Sequence, residues 1–353
     1  MEYIESIKQL VERCPQFAGK RVRVTVIANP VAGGFTIKKR ARANETFFSA
    51  ALAESANRPV EAKSVSATIH LTASAGHAKL LAEAVLKEAL ADTNTESMYL
   101  VITAGGDGTS LDVQTVFARA VLDEGHKELI EKVCLLRLPF GTGNDGSDGR
   151  TLDVSLSLLA GNAHFEKQRA VRVHTAQGRS WYAFNIASIG IDAFITHMTN
   201  KVKNRLPGDF YKLWVDLACV FYNRLYRVGE MKVSAYRSDG SLVLEHCDIM
   251  ALYLMGASGH RTYGSNQKIL PGNEDVCGVR DMPLLRKLAL KKHFRLGTHA
   301  SFPETILYNA DRLVIDYGEK ILVQLDGEAH LLEQKDFPVT MERTEGFITI
   351  LKA

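Results

Sequence analysis

The sequence predicts an α/β protein of two domains: an N-terminal doubly wound parallel sheet, then a mostly antiparallel, sandwich-like β domain. Up to about residue 150, apolar strand-like runs alternate with helical stretches, the pattern of a parallel sheet covered on both faces. Beyond that point short β-like segments follow, some separated by turn signals such as Ser238-Asp239-Gly240. The length, 353 residues, exceeds what one small core ordinarily serves. The expected boundaries are 1–152 and 153–337, with 338–353 free to return to the first domain.

Residues 21–28 hold Val22, Val24 and Val26 at alternate positions and read as a strand. Residues 36–56 read as a helix with a basic start, and a weaker strand follows near 59–67. Residues 76–91 carry Leu80, Leu81, Ala84, Val85 and Ala89 at helical spacing. The apolar strand 98–103, a helix over 110–124 and a strand over 133–138 complete the series. In the second half the β-like segments are 169–174, 181–187, 231–236, 247–255, 312–316 and 321–325. One long helical stretch, about 207–227, interrupts them. Phe347–Leu351 is strand-like again and is the segment that would rejoin the first domain.

Charged residues at 24% and hydrophobic ones at 46% describe an ordinary soluble globular chain, and a net charge of +3 gives no reason to invoke nucleic acid. The five cysteines (14, 134, 219, 247 and 277) are odd in number and not closely paired. That argues against a disulfide framework and a CxxC zinc site, and it favours a reducing compartment. The N-terminus carries Glu2 and Glu5 and lacks the long apolar core of a signal peptide. No apolar run reaches the roughly 18 residues of a membrane span. A cytoplasmic protein is expected.

Three glycine turns follow strand-like runs: Asn29-Pro30-Val31-Ala32-Gly33-Gly34, Ala104-Gly105-Gly106-Asp107-Gly108-Thr109, and Pro139-Phe140-Gly141-Thr142-Gly143-Asn144-Asp145. Glycine lets a backbone approach a ligand closely, and amide groups exposed where a strand turns into a helix suit phosphate. Ligands of parallel sheets bind at the carboxyl ends of strands, where these turns can converge. Asp107, between glycines, can reach a nucleotide or its metal ion. Plainer readings stand beside these. Asp107 could cap its helix, and Asn144 and Asp145 could bond their own turn. Lys38, Lys39, Arg40 and Arg42 read first as a solvated helix face, although one could reach phosphate. The joint presence of the turns favours nucleotide binding, with Thr142 touching nucleotide and Asp145 fixing the loop. There is no GxxxxGK[ST] loop and no protein-kinase motif set.

Asp326-Gly327-Glu328 is by itself a hairpin-turn signal. Residues 280–295 set Arg280, Arg286, Lys287, Lys291, Lys292 and Arg295 around Leu284, Leu285, Leu288 and Leu290. This suits either an interfacial surface or a solvated helix packed on the core. The apolar stretch Phe210–Tyr222 suits a core helix or the wall of an acyl-chain cleft. His70, His77, His260 and His299 lack metal-ligand spacing and read as structural.

Together these motifs resemble the diacylglycerol kinase catalytic family, whose relatives include sphingosine kinases and bacterial lipid kinases within an NAD kinase-like superfamily. The resemblance runs from about residue 22 to 330. Asn29 to Gly33 matches the family's Asn-Pro-x-Ser-Gly, with Ala32 for Ser, and Thr72 with Gly76-His77-Ala78 matches its next segment. Gly105 to Thr109 is intact, and Asp112 stands where the family has Glu. Gly141 to Asp145 is intact too, but Gly146-Ser147-Asp148-Gly149 replaces the Phe-Ala that usually follows. Asn185 to Gly190 matches a strand and turn that precede a helix, and Gly256 to Pro271 a Gly-rich hairpin. In the frame Pro271 to Gly278, Cys277 takes the place of an Asp that helps hold a structural magnesium in bacterial members, with Glu274 and Asp275 nearby. Hard Mg²⁺ wants oxygen, which counts against a retained metal there. Gln324-Leu325-Asp326-Gly327-Glu328 matches the Asp-Gly-Glu motif that carries the catalytic base.

The resemblance implies an ATP- and Mg²⁺-dependent kinase that phosphorylates a lipid hydroxyl in phospholipid metabolism, with diacylglycerol or a sphingoid base as substrate. It implies a nucleotide site of Asn29, Pro30, Val31, Ala32, Gly33, Thr72, Gly105, Gly106, Asp107, Gly108, Thr109, Asp112, Gly141, Thr142 and Asn144. Asp107 would also reach nucleotide-bound Mg²⁺. Glu328 would be the base and Asp326 its partner, roles that could be exchanged. Its partners would be the lipid and the membrane surface, and the reading also allows a homodimer. Two other functions compete. An NAD kinase-like enzyme shares the Gly-Gly-Asp-Gly turn, but the Gly-Thr-Gly-Asn-Asp and Asp-Gly-Glu motifs disfavour it. A non-catalytic nucleotide or lipid sensor is the other, and Asp107 and Glu328 argue against it.

Overall fold

The computed structural model describes the chain except residues 1, 142–143, 145–146, 150, 162, 204–216, 218–219 and 265–266. It divides into two units, one of residues Met1–Gln168 and Gly346–Ala353, the other of Arg169–Glu345.

In the first unit, helix α1 (Glu2–Glu12) precedes strand β1 (Arg21–Ala28). Helices α2 (Gly33–Thr36) and α3 (Lys38–Ser55) lead to β2 (Ser64–Leu71), and α4 (His77–Ala91) leads to β3 (Ser97–Gly105). Helices α5 (Asp107–Ala118) and α6 (Leu129–Lys132) lead to β4 (Val133–Pro139), followed by α7 (Leu152–Leu159) and β5 (His164–Gln168). The sheet order is β2-β1-β3-β4, then the C-terminal strand Ile348–Lys352, then β5. Only the last of these pairings is antiparallel.

Strands β3 and β4 are buried along their whole length, which is why they read as unbroken apolar runs. The edge strand β2 has no fully buried residue, so its sequence signal is weak and the expected 59–67 is displaced toward the N-terminus of its true span. One sheet face, with Val24, Leu100 and Leu136, packs on Leu10 of α1, Phe48 of α3 and Leu156 of α7. The opposite face holds Tyr99 and Thr103. Tyr99 Oη donates to Asp92 Oδ2 just past α4 at 3.0 Å, and the Thr103 hydroxyl bonds that of Ser110 on α5 at 2.9 Å. Helices therefore cover both faces, as a doubly wound sheet requires.

In the second unit, β6 (Val171–Thr175), β7 (Ser180–Ala183) and β8 (Ile186–Gly190) precede helix α8 (Ile191–Lys203). Next come β9 (Glu230–Tyr236), β10 (Leu242–Gly256), the hairpin β11 (Arg261–Tyr263) and β12 (Gln267–Leu270), and β13 (Val276–Arg280). Helix α9 (Leu284–Leu296) is followed by β14 (Thr305–Tyr308), β15 (Arg312–Tyr317), β16 (Ile321–Leu325), β17 (Glu328–Leu332) and β18 (Val339–Arg343). Eleven strands form one sheet in the order β17-β16-β8-β10-β9-β15-β18-β6-β7, with β13 on β10 and β14 on β13. Its pairings are antiparallel.

Strand β10 pairs with β9 through residues 242–249 and with β8 through 252–256, so it carries the chain from one half of the sheet to the other. Both halves turn apolar side chains into one core: Val173, Val233 and Met341 from the first, Ile189, Tyr253 and Val323 from the second. That is sandwich packing. On the other face of β8, β10 and β13, Ile186, Leu254 and Cys277 pack with Phe194 and Ile195 of α8.

The sequence reading needs two corrections here. Helices α8 and α9 interrupt the β segments in addition to the expected 207–227 stretch, much of which lies outside the described residues. The expected strand 181–187 is two strands, β7 and β8, because the backbone between them is drawn to the Asp326 carboxylate.

Candidate active site

Ala28, Ala104 and Leu138 occupy matching register positions on β1, β3 and β4, and Leu71 of β2 pairs with Ala28. The residues that follow them therefore leave one edge of the sheet together. Asn29 N donates to Ala104 O at 2.9 Å, Thr72 N to Ala28 O at 2.9 Å, and Gly34 N to Phe140 O at 2.8 Å. A Cβ at Gly141 would stand 2.4 Å from the Gly106 Cα, so the second and third glycine turns touch with no room for a side chain.

Within the first turn, Asn29 Oδ1 accepts from Val31 N at 3.2 Å, and Val31 itself is 77% exposed. Pro30 is exposed, Ala32 is buried, and Gly33 opens α2. Thr72 is half-buried just past β2. Asp107 is the first residue of α5, half-buried, with exposed Gly108 after it and buried Thr109 against Gly105. A carboxylate there, and an anion bound beside it through a cation, sit at the favourable end of the helix dipole. Asp112, one turn further, is ion-paired with Lys79 of α4 at 3.3 Å.

In the third turn the Gly141 carbonyl accepts from Arg40 Nη2 at 2.7 Å and from Asn144 Nδ2 at 3.0 Å. Asn144 adopts a left-handed φ of 59°. Arg40, read from the sequence as solvated, thus ties α3 to this turn. Thr142, Gly143 and Asp145 lie outside the described residues.

Beneath the turns is a buried polar network that the motif reading missed. Arg137 on β4 and Asp148 have side chains 8% and 3% exposed. Asp148 Oδ2 accepts the Arg137 backbone N–H at 2.6 Å, and both carboxylate oxygens face its guanidinium. Arg137 Nη1 reaches Gln114 Oε1 on α5 at 2.9 Å, which also accepts from Gln168 Nε2 at 2.9 Å. The pair therefore links the strand before the Gly141 turn, the segment after it and the helix that begins at Asp107. The signal lay in the Gly146–Gly149 stretch, where an acid appears in place of the usual apolar pair. Asp148→Asn leaves a buried guanidinium uncompensated and is expected to cost about 3 kcal/mol. Urea unfolding checks this, and adding Arg137→Met should restore part of the loss.

The second unit holds the acidic turn and an apolar cavity. Asp326 and Gly327 have φ of 48° and 95°, a two-residue turn with Leu325 paired to Glu328. The Asp326 carboxylate accepts backbone N–H groups of Phe184, Asn185 (3.0 Å) and Ile186 (2.9 Å). Burial pushes it up to about 6 even against these donors. Glu328 is exposed, and its carboxylate has no hydrogen bond or ion pair among the described residues.

A hydrogen-bond chain runs inward from this turn. Gly327 N donates to Gln324 Oε1 at 3.0 Å, Gln324 Nε2 to Ser188 Oγ at 2.9 Å, and the Ser188 hydroxyl to Asp192 Oδ2. Asp192 is 1% exposed, and its Oδ1 has no hydrogen-bond partner among the described residues. Burial pushes this carboxyl up from the ordinary range. It borders an apolar cavity of about 100 Å³ whose walls include Ile195, Leu252, Val279, Leu290 and Phe294. Gly190 sets the approach of Asp192. Its φ is 120°, and a Cβ would stand 2.3 Å from Ala251 O. Asp192 lies two residues past the motif segment Asn185–Gly190, and only the cavity singles it out.

The Cys277 position does not fit a divalent cation. Its thiol is buried among apolar side chains, and burial pushes it up, away from the thiolate. Asp275 is ion-paired with Arg343 at 2.5 Å and accepts from Ala310 N at 3.0 Å. No cluster of three or more candidate metal ligands occurs among the described residues.

Residues 23–175 match the family model of the diacylglycerol kinase catalytic domain. A curated relative, the diacylglycerol kinase of Bacillus subtilis (strain 168), is 27% identical over 314 residues, 87% of this chain and 89% of its own. A crystal structure of a diacylglycerol kinase from Bacillus anthracis str. Sterne superposes with a TM-score of 0.55 at 16% identity, covering 94% of this chain and 97% of that one. Another crystal structure from the same organism gives 0.57 at 19%, covering 94% and 95%. At those identities the structures speak for the fold. No described helix is long and apolar enough to cross a membrane. Over residues 23–175 the chain is thus similar to the catalytic domain of diacylglycerol kinases, and over most of its length to a curated diacylglycerol kinase.

Proposed function

We propose that this protein transfers the γ-phosphate of ATP, bound as its magnesium complex, to a lipid hydroxyl. The observation that carries the reading is the register of β1, β3 and β4, which brings three glycine turns to one sheet edge. Backbone amides at the start of α5 and in the Gly141 turn suit phosphate oxygens. Asp107 is the carboxylate suited to the nucleotide's Mg²⁺, which keeps several waters and needs few protein ligands. That ion neutralises charge on the phosphate oxygens during transfer.

The acceptor reading rests on the second unit. Its cavity is mostly apolar, with Asp192, Gln267, Lys287 and Lys291 among its lining residues, which suits an acyl chain that carries a polar group. Asp326 is engaged by three backbone donors, so it holds the turn rather than accepting a proton. Glu328 is exposed and is the better base. In the step we envisage, the acceptor oxygen bonds to the γ-phosphorus as the bond to the β–γ bridging oxygen breaks. The hydroxyl proton passes to Glu328 and ADP leaves.

Incubation with γ-labelled ATP and a total lipid extract, beside diacylglycerol, a sphingoid base and NAD, tests the reading. Label is expected in an organic-soluble phospholipid. Label only in NADP would make the protein an NAD kinase, and label in neither would leave a binding protein.

A further inference from the structure

Helix α9 is built inside out. Leu284, Leu285, Leu288 and Leu296 are 41, 81, 39 and 57% exposed, and Leu290 is its only buried leucine. The Lys287 side chain, by contrast, is 7% exposed and ion-paired with Asp281 at 2.6 Å. A solvated helix packed on a core would bury its leucines and expose its lysines. The outward apolar face therefore needs another explanation.

The helix contains no acidic residue. Two acids of neighbouring elements are already paired, Glu304 with Arg286 at 2.7 Å and Asp281 with Lys287. Exposed Lys292 and Arg295 frame the apolar face. Beside it lies a groove of mixed character, lined by Val220, Ile249 and Leu284 together with Asn223, Arg224 and Asp281. The inner side of the same helix, through Leu290 and Phe294, walls the apolar cavity. One element thus joins an exposed apolar surface with a basic frame to a buried apolar cavity.

We infer that α9 docks the protein on an anionic lipid bilayer, with Leu284, Leu285 and Leu288 in the acyl boundary and Lys292 and Arg295 among the headgroups. The inference rests on the lipid-kinase reading in one respect, that the acceptor comes from a membrane. Apolar burial and attraction to anionic lipid act together in such helices. A second copy of the chain is a poorer occupant. Two-fold pairing would set this acid-free, basic helix against itself.

Flotation with vesicles of phosphatidylcholine, alone or mixed with phosphatidylserine, tests the inference. The wild-type protein is expected to bind the mixed vesicles, and less so as salt is raised. Leu285→Ser with Leu288→Ser should lower partitioning about tenfold or more. Lys292→Glu with Arg295→Glu should lower it about tenfold or more on mixed vesicles and leave phosphatidylcholine alone unaffected. None of the four side chains lines the cavity, so melting temperature and turnover on a dispersed short-chain acceptor should match wild type.

Failure of the wild type to bind mixed vesicles overturns the inference, and so does a leucine variant that binds as wild type does. Conversion of a dimer to monomer by the leucine substitutions, read by sedimentation equilibrium, also overturns it by assigning the face to a second copy. Leucine-dependent vesicle binding without kinase activity on any lipid would support the docking helix while removing the lipid-kinase reading.

Discussion

Replacing Glu328 with Gln is expected to lower kcat by about 10²-fold or more with the KM for ATP little changed. Glutamine keeps the shape of the side chain but cannot accept a proton. Glu328 is exposed at the start of β17 and its side chain makes no hydrogen bond or ion pair among the described residues, so the variant should fold and melt like wild type. Asp326→Asn is the instructive contrast. Its carboxylate receives the N–H groups of Phe184, Asn185 and Ile186, and an amide can match that acceptor set only in part. Stability should fall along with turnover there. The measurements are kcat and KM on the lipid identified by labelling, with thermal melts alongside. A Gln variant with full turnover would remove Glu328 from the chemistry.

On the proposed assignment of Asp107 to the nucleotide's metal ion, Asp107→Asn should remove most kinase activity, about 10²-fold or more in kcat/KM, because that charge would be lost where transition-state charge is greatest. The structural cost should be small. Asp107 is half-buried in the first turn of α5, where a carboxylate contributes about 0.3–1 kcal/mol through the helix dipole. Steady-state kinetics at varied Mg²⁺ together with urea unfolding separate the two effects. Near-normal turnover at saturating Mg²⁺ would show that the three turns do not form the nucleotide site.

Several parts of this protein were legible because local chemistry dictates them. The buried strands β3 and β4 read as continuous apolar runs, since both faces are covered. The Asp326-Gly327 turn was legible as a hairpin, since both residues need positive φ and few others accept it. Helix α9 was located by its composition, but the direction of its faces was not. Leucines and lysines alternate there at spacings that suit either orientation, and only packing against the cavity decides which side is buried.

The sequence by itself determined the alternation of strands and helices, the change to antiparallel β structure, and the three glycine turns with the Asp-Gly-Glu motif. Each depends on residues close along the chain. Tertiary structure alone decided that Arg137 and Asp148 clamp two of those turns, that Arg40 serves the Gly141 carbonyl, and that Asp326 is held by the β7–β8 backbone. It also decided that Gln324 and Ser188 lead from the acidic turn to a carboxyl at the edge of an apolar cavity. These arrangements join groups up to 140 positions or so apart in the chain, as with Asp326 and Ile186. A polar side chain reads alike in sequence whether solvent or a buried partner satisfies it. Which of the two obtains is decided only when folding removes the water, because a buried polar group then needs a partner.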